Sequence, residues 1–194
     1  MKFLIFSFCI CAAFFSCEEK TVKEPGGAIT AAEKDNEVMD TFKGQAILPF
    51  DPGNIIIDTK NHNPAEVLNF ATTLIGVTYK YGSTDPQEGF DCSGFITYVF
   101  NYFDIAVPRS SIDFTNIGTE VNEQMAAPGD LILFTGTDST IRTVGHMGIV
   151  IENTDSLRFI HSTSGKKYGV TITAVNPTYK KRFVKVIRIF KELI

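Results

Sequence analysis

The sequence predicts an α+β fold in which N-terminal helices pack on a central antiparallel sheet of about five to six strands. Apolar residues recur at helical spacing in the first half of the ordered chain, and short β-rich runs separated by Gly, Asn, Asp and Pro fill the second half. A chain of 194 residues can bury a sufficient core, so we expect one domain with a short N-terminal appendage.

Two helices are predicted before the strands. Asn63 can cap the first helix, and Pro64 suits its first position, where no backbone N–H is needed. Helical spacing of apolar residues continues until Gly76, which ends the helix. The second helix follows Asp91 as its N-cap, and its apolar face consists of Phe95, Ile96, Val99, Phe100 and Phe103.

Five strands are predicted after Pro108. The runs are short, rich in β-branched and aromatic residues, and bounded by turn-forming residues. They cover residues 130–134, 146–151, 158–162, 170–174 and 183–190.

The N-terminus predicts export and lipidation. Lys2 precedes an apolar run through Phe15, which is shorter than the roughly 20 residues that span a bilayer, so residues 1–16 are interpreted as a signal peptide. Ser16 followed by Cys17 resembles the cleavage site of bacterial lipoproteins; an ordinary signal peptide with an incidental cysteine is the alternative. We expect residues 17–60 to form a lipidated tether and arm, and residues 61–194 to form the domain.

Charge and cysteine content exclude several classes of function. The net charge is −4 and no long basic stretch occurs, so nucleic acid is not an expected partner. If Cys9 and Cys11 leave with the signal peptide and Cys17 carries lipid, Cys92 is the one remaining thiol and no intramolecular disulfide can form. A free thiol in an oxidising compartment is a liability unless it is buried or used.

Cys92 is the candidate nucleophile. It lies in the first turn of the second predicted helix, where the helix dipole and free N–H groups favour the reactive thiolate. The alternative is a small buried apolar residue, which is how most single cysteines behave.

Two of the three histidines strengthen this hypothesis. His146 and His161 lie on consecutive predicted strands, and adjacent antiparallel strands bring such side chains within reach. A thiol nucleophile needs a base, and the base gains from a third group that fixes its tautomer. A zinc site with the ligands Cys92, His146 and His161 is the rival interpretation, but a thiol at a helix start favours nucleophilic attack. We therefore expect no metal and no cofactor, and assign His62 no role.

Six short motifs, in their order along the chain, resemble the motifs of NlpC-type cell-wall cysteine peptidases, the γ-D-glutamyl-diaminopimelate endopeptidases. The signature motifs are YKYG at residues 79–82 and GFDCSGF at 89–95. The resemblance extends from about residue 64 to the C-terminus, and implies a papain-like fold. The remaining motifs are VPRSS at 107–111, PGDL at 128–131, GHMGI at 145–149 and FIH at 159–161.

The resemblance implies a role for each matching residue. It implies that Cys92 is the nucleophile, His146 the general base and His161 the residue that orients it. Tyr79 matches the tyrosine near the oxyanion position, although a half-buried tyrosine with a satisfied hydroxyl is the alternative. Asp91 and Ser93 match positions in the substrate cleft.

One position departs from the pattern. Ser83 stands where the family often has a second glycine, and the segment up to the nucleophile is one residue longer than usual. We therefore expect a different shape for the loop on the substrate side.

The implied activity is hydrolysis of peptidoglycan stem peptides at the bond between γ-D-glutamate and meso-diaminopimelate. A related Cys–His amidase or acyltransferase and a non-catalytic wall-binding protein are the alternatives. We expect a monomer held by its lipid anchor in the bacterial cell envelope, at the outer membrane, facing the periplasm or the cell surface.

Overall fold

In the computed structural model, which describes residues 47–51 and 56–191, the two longer helices pack on one face of an antiparallel sheet and a short third helix contributes to the apolar cluster on the other face. Helix α1 spans Pro64–Thr73, α2 spans Cys92–Asn101 and the short α3 spans Pro177–Arg182. Single 3₁₀ segments cover Ser111–Asn116 and Glu123–Met125.

The strands form one small hairpin and one central sheet. The hairpin pairs β1 (Thr84–Asp85) with β2 (Gly89–Phe90). The six strands of the sheet are β3 (Thr119–Val121), β4 (Leu131–Thr135), β5 (Val144–Asn153), β6 (Leu157–Thr163), β7 (Gly169–Ala174) and β8 (Phe183–Arg188). Their order is β3-β8-β4-β5-β6-β7, with every neighbouring pair antiparallel.

The α+β prediction is therefore confirmed. All five predicted strands are present, with small shifts at their ends, and β3 at the sheet edge adds a sixth. The hairpin, β3 and α3 were not predicted.

Helix α1 begins as the sequence indicates. The Asn63 side chain accepts from the Ala65 N–H, Glu66 reaches back to the Asn63 N–H, and Pro64 occupies the first turn. This reciprocal capping satisfies backbone donors that the first turn leaves free. The chain then turns at Gly76, whose φ of +95° lies in the region that favours glycine.

Helix α2 lies in the centre of the domain, against β5 and β6. Its apolar face is buried as predicted, except that Phe103 beyond its end is only half-buried. The largest apolar cluster lies between the helices and one face of the sheet, and a second cluster around Phe134 and Phe159 covers the other face. Burial on both sides fixes the strands that carry His146 and His161.

Part of the segment before residue 61 packs on the domain. Ile57 is buried in the main core, and the half-buried Phe50 contacts the same core. In the described part of the chain, no helix is long and apolar enough to cross a membrane. The predicted signal peptide at 1–16 and the predicted lipidation site at Cys17 lie outside the described residues.

Candidate active site

The N-terminus of α2 carries Cys92 at the bottom of a cleft. Asp91 is the N-cap, and its carboxylate accepts from the Gly94 N–H at 2.5 Å. The Cys92 thiol is partly exposed and donates to the Gly145 carbonyl, with 3.9 Å between sulfur and oxygen. The helix start thus presents the sulfur to the strand that carries His146.

The electrostatics of Cys92 differ from the sequence expectation of a stabilised thiolate. Burial and the neighbouring Asp91 carboxylate raise the pKa of the thiol, whereas hydrogen bonds from backbone N–H groups, including those of Ser93 and Met147, lower it. Burial and the Asp91 charge outweigh the N–H groups of the helix start, so the resting thiol is neutral.

His146 and His161 form a hydrogen-bonded pair on β5 and β6. The distance between His146 Nε2 and His161 Nδ1 is 2.8 Å, and His161 Nε2 lies 3.0 Å from Thr173 Oγ1. Gly148 makes room for this pair, because a Cβ there would lie 3.1 Å from the His161 Cβ and 2.7 Å from the Ile160 carbonyl oxygen.

Burial keeps both imidazoles neutral. His161 is fully buried, and burial, with Arg182 and Lys167 nearby, lowers its pKa to about 3. Burial, His161 and Arg182 lower the pKa of His146 well below its ordinary value. A neutral imidazole is the form that accepts a proton.

Two cavities meet at Cys92. The histidine-side cavity, of about 550 Å³, is lined by Cys92, His146 and Tyr179, among others. The Asp91-side cavity, of about 370 Å³, is lined by Cys92, Asp91 and Arg109, among others. Within the described part of the chain, no hydrogen bond joins the thiol to His146, but both open into the first cavity.

Arg109 holds the Asp91 side of the cleft together. Its guanidinium donates to both carboxylate oxygens of Asp91, at 3.1 and 2.8 Å, and to Ser93 Oγ at 3.0 Å. The Gly82 N–H donates to the same carboxylate at 2.8 Å. Both oxygens of Asp91 are therefore engaged, and a substrate amine would have to compete with a bidentate guanidinium. The substrate-binding roles of Asp91 and Ser93 stay predictions.

Tyr79 lines both cavities beside Cys92. Burial, with Cys92 and Asp91 nearby, raises the pKa of its phenol, so the hydroxyl keeps its proton and can donate. Ser83, the departure in the sequence pattern, is accommodated: it is buried, and its carbonyl accepts from the Asp91 N–H at 3.3 Å. The left-handed turn falls on the preceding Gly82, at a φ of +76°, so position 83 needs no glycine.

Sequence reasoning missed Tyr179. This side chain projects from α3 against both imidazoles, with ring centroids 6.0 Å from His146 and 5.6 Å from His161. A signal was present: Asn176 caps α3 and Pro177 starts it, the same pair of residue types that predicted α1. The contact of Thr173 with His161 had no such signal.

Metal binding was the rival interpretation of the Cys–His–His set. In the described residues, no three His, Cys, Asp or Glu side chains are grouped so that they could hold a metal ion. The facing nitrogens of His146 and His161 are bonded to each other at 2.8 Å rather than turned to a shared centre.

Comparison with known proteins decides the family. The sequence model of the NlpC/P60 family matches residues 76–188, which contain Cys92, His146, His161 and all six strands of the central sheet. The chain belongs to the NlpC/P60 family. The resemblance found in the sequence motifs is thereby confirmed, and so is the papain-like α+β fold.

Curated relatives of this NlpC/P60 chain carry names of hydrolases and peptidases. The gamma-DL-glutamyl hydrolase of Bacillus subtilis is 41% identical over 59% of this chain and 26% of its own length. The murein DD-endopeptidase MepS/murein LD-carboxypeptidase of Escherichia coli is 35% identical over 59% of this chain and 56% of its own. The chain thus spans about a quarter of the length of the first relative and just over half of the length of the second.

Solved structures agree on the fold. A crystal structure of an NlpC/P60 family protein from Bacillus cereus has a TM-score of 0.58 and 26% identity, covering 73% of this chain and 43% of that one. The NlpC/p60 domain of the peptidoglycan hydrolase SagA has a TM-score of 0.54 and 23% identity, covering 66% of this chain and 99% of that one.

Proposed function

We propose that this NlpC/P60 chain is a cysteine endopeptidase that hydrolyses peptidoglycan stem peptides, at the bond between γ-D-glutamate and meso-diaminopimelate. One observation carries the proposal: a thiol at a helix start shares a cavity with an imidazole that is hydrogen-bonded to a second imidazole. That arrangement suits a nucleophile, a base and an orienting group.

His146 acts as the general base through Nδ1. With Thr173 Oγ1 accepting from His161 Nε2–H, His161 Nδ1 accepts from His146 Nε2–H, and the lone pair of His146 Nδ1 is left for the thiol proton. Because the resting thiol and imidazole are both neutral, proton transfer accompanies attack of the sulfur on the amide carbonyl.

The carbonyl oxygen gains negative charge as the C–S bond forms. Backbone N–H groups at the start of α2 and the hydroxyl of Tyr79 are the donors that would stabilise it. A donor of this kind contributes about 3 kcal/mol in other enzymes.

Collapse of the tetrahedral intermediate breaks the C–N bond, and His146 gives its proton to the leaving amine. Water then attacks the thioester, passes a proton to His146 and releases the acyl fragment. The thiol of Cys92 regains its proton, and no other reactant is needed.

The choice of bond rests on the motifs and on one relative's name. The B. subtilis relative is named for γ-glutamyl hydrolysis, whereas the E. coli relative is named for DD- and LD-bonds. We favour the γ-glutamyl bond because the signature motifs resemble those of γ-D-glutamyl-diaminopimelate endopeptidases.

The proposed setting is the bacterial cell envelope. Residues 1–16 would be removed as a signal peptide, Cys17 would carry lipid at the outer membrane, and residues 17–60 would link it to a monomeric domain at 61–194. Intact mass of the membrane-extracted protein would detect the lipid, and Cys17→Ala should abolish it. An unlipidated wild-type protein would overturn the anchor.

Defined muropeptides test the activity. We expect the protein to release L-alanyl-γ-D-glutamate from a tetrapeptide stem, as seen by mass spectrometry, and Cys92→Ala to abolish release. Ser156→Ala, at an exposed position in the turn between β5 and β6, is a control that keeps the thiol and lines neither cavity. Unchanged release by Cys92→Ala would contradict the assignment of Cys92 as the nucleophile. Release of the sugar alone would favour the amidase, and release of terminal D-alanine alone would favour cleavage of another peptide bond.

A further inference from the structure

The positions of the two cavities distinguish the acyl side of the cleft from the leaving-group side. The histidine-side cavity contains His146, and the Asp91-side cavity does not. Since the acid that protonates the leaving amine must lie next to it, the leaving fragment occupies the histidine-side cavity. The acyl fragment then lies on the side of Asp91, Ser93 and Arg109.

The wall of the histidine-side cavity is cationic. Lys166 and Lys167, from the loop between β6 and β7, and Arg182 at the end of α3 all line it. None of its lining residues is Asp or Glu. This is notable in a chain whose net charge is −4, because the local charge has the opposite sign to the whole.

These three cations differ from most others in the described part of the chain. Lys167 Nζ donates to the Ile172 carbonyl at 3.5 Å, and Arg182 donates to the Thr135 carbonyl at 2.9 Å and lies over the Tyr179 ring. Among described residues, none of the three is paired with a carboxylate. By contrast, ion pairs to Asp or Glu hold Lys60, Lys80, Arg109, Arg158, Lys180, Lys185 and Arg188.

We propose that Lys166, Lys167 and Arg182 form a subsite for a free carboxylate on the leaving fragment, an inference that rests on the proposed function. Three cations in a concave wall recognise a carboxylate by charge and lose that recognition when it becomes a carboxamide. The carboxylate is either the C-terminal one of the leaving peptide or the side-chain one of the diamino acid.

The placement of the leaving fragment in the histidine-side cavity agrees with the chemistry of the substrate. The leaving fragment carries the amine that His146 protonates, and it also carries the second carboxylate of the diamino acid and the C-terminal carboxylate of the peptide. The α-carboxylate of γ-D-glutamate stays on the acyl fragment, on the side of Arg109. The cations also lie near enough to the histidines to favour their neutral forms, with Arg182 acting on both and Lys167 on His161. A bound carboxylate would offset part of that positive charge.

Matched substrates test the subsite. The γ-D-glutamyl tetrapeptide is compared with two carboxamides, one at the C-terminus and one at the diamino-acid side chain. For the wild type, we expect kcat/KM to fall about tenfold for the carboxamide that removes the recognised group, mostly through KM, and the other carboxamide to be cleaved normally. Which one fails identifies the carboxylate.

The variant Lys166→Gln/Lys167→Gln should remove most of this discrimination and bring the acid and the carboxamide to within about threefold. Lys181→Gln is the control, because Lys181 is exposed, lies next to Arg182 and does not line the cavity. Arg182 is left intact, since it supports α3 through Thr135.

Equal cleavage of all three substrates by the wild type would overturn the subsite, and so would a double variant that discriminates as the wild type does. Both outcomes leave the proposed function standing, because the bond is still cut. Absence of any Cys92-dependent cleavage of the parent peptide would instead overturn the proposed function.

Discussion

Replacing His161 with Gln should make the protein markedly less sensitive to acid. The pKa of His161 is about 3 in the folded protein, against an ordinary 6.5. Between those values the unfolded chain binds a proton that the folded protein does not, so the free energy of unfolding falls as the pH falls through this window. From pH 7 to pH 5, the titration of His161 alone lowers the free energy of unfolding by about 2 kcal/mol.

The variant removes that titration while keeping polar atoms beside His146 and Thr173. Its stability at pH 7 should be lower by about 1–3 kcal/mol, because the His146–His161–Thr173 chain is disturbed. The diagnostic quantity is the loss between pH 7 and pH 5, which should be about 2 kcal/mol smaller in His161→Gln than in the wild type. His146 adds to the loss in both proteins.

Urea unfolding at the two pH values measures this difference. Far-UV circular dichroism is the suitable signal, since the chain has no tryptophan. His62→Gln is a matched control, because His62 has a side chain that is 34% exposed and lies away from the site against Phe103. An equal loss in the wild type and in His161→Gln would refute a buried, neutral His161.

Three further perturbations address the site. Gly94→Ala should lower the free energy of unfolding by about 2 kcal/mol or more, as measured by thermal unfolding, and should remove most of the activity. Its Cβ would lie 2.0 Å from the Ser83 carbonyl oxygen and 2.9 Å from Asp91 Oδ1. Gly136→Ala is the control, because Gly136 has open space around it, and it should unfold as the wild type does. In the pH profile of kcat/KM, the fall on the acid side should come well below pH 6.5, because burial lowers the pKa of His146. A fall centred at pH 6.5 would indicate a solvent-exposed base instead. Alkylation of Cys92 by iodoacetamide should be slow at pH 6 and rise at alkaline pH, because burial raises the thiol pKa; rapid labelling at pH 6 would indicate a resting thiolate.

Local signals in the sequence were sufficient to predict the helices that position Cys92. Asn63 with Pro64, and Asp91 before an apolar helical run, encode helix starts within a few residues, so α1 and α2 could be predicted. The strands that carry His146 and His161 could also be predicted, because their β-branched runs are separated by turn-forming residues.

The environment of the site could not be predicted, because it depends on contacts between distant residues. The ion pair of Arg109 with Asp91 spans 18 positions, and the contact of Tyr179 with His146 joins α3 to β5. The pKa of Cys92 follows from burial in the folded state, which opposed the local effect of the helix start. Edge strand β3 has three residues, too few for a periodic pattern.

The covalent intermediate tests the central claim most directly. The protein would be mixed with a γ-D-glutamyl tetrapeptide, quenched in acid within milliseconds to seconds and analysed by intact mass and peptide mapping. We expect an L-alanyl-γ-D-glutamyl thioester on the peptide that contains Cys92, and none with Cys92→Ala. An adduct on another residue, or wild-type hydrolysis by Cys92→Ala, would contradict acyl transfer through Cys92.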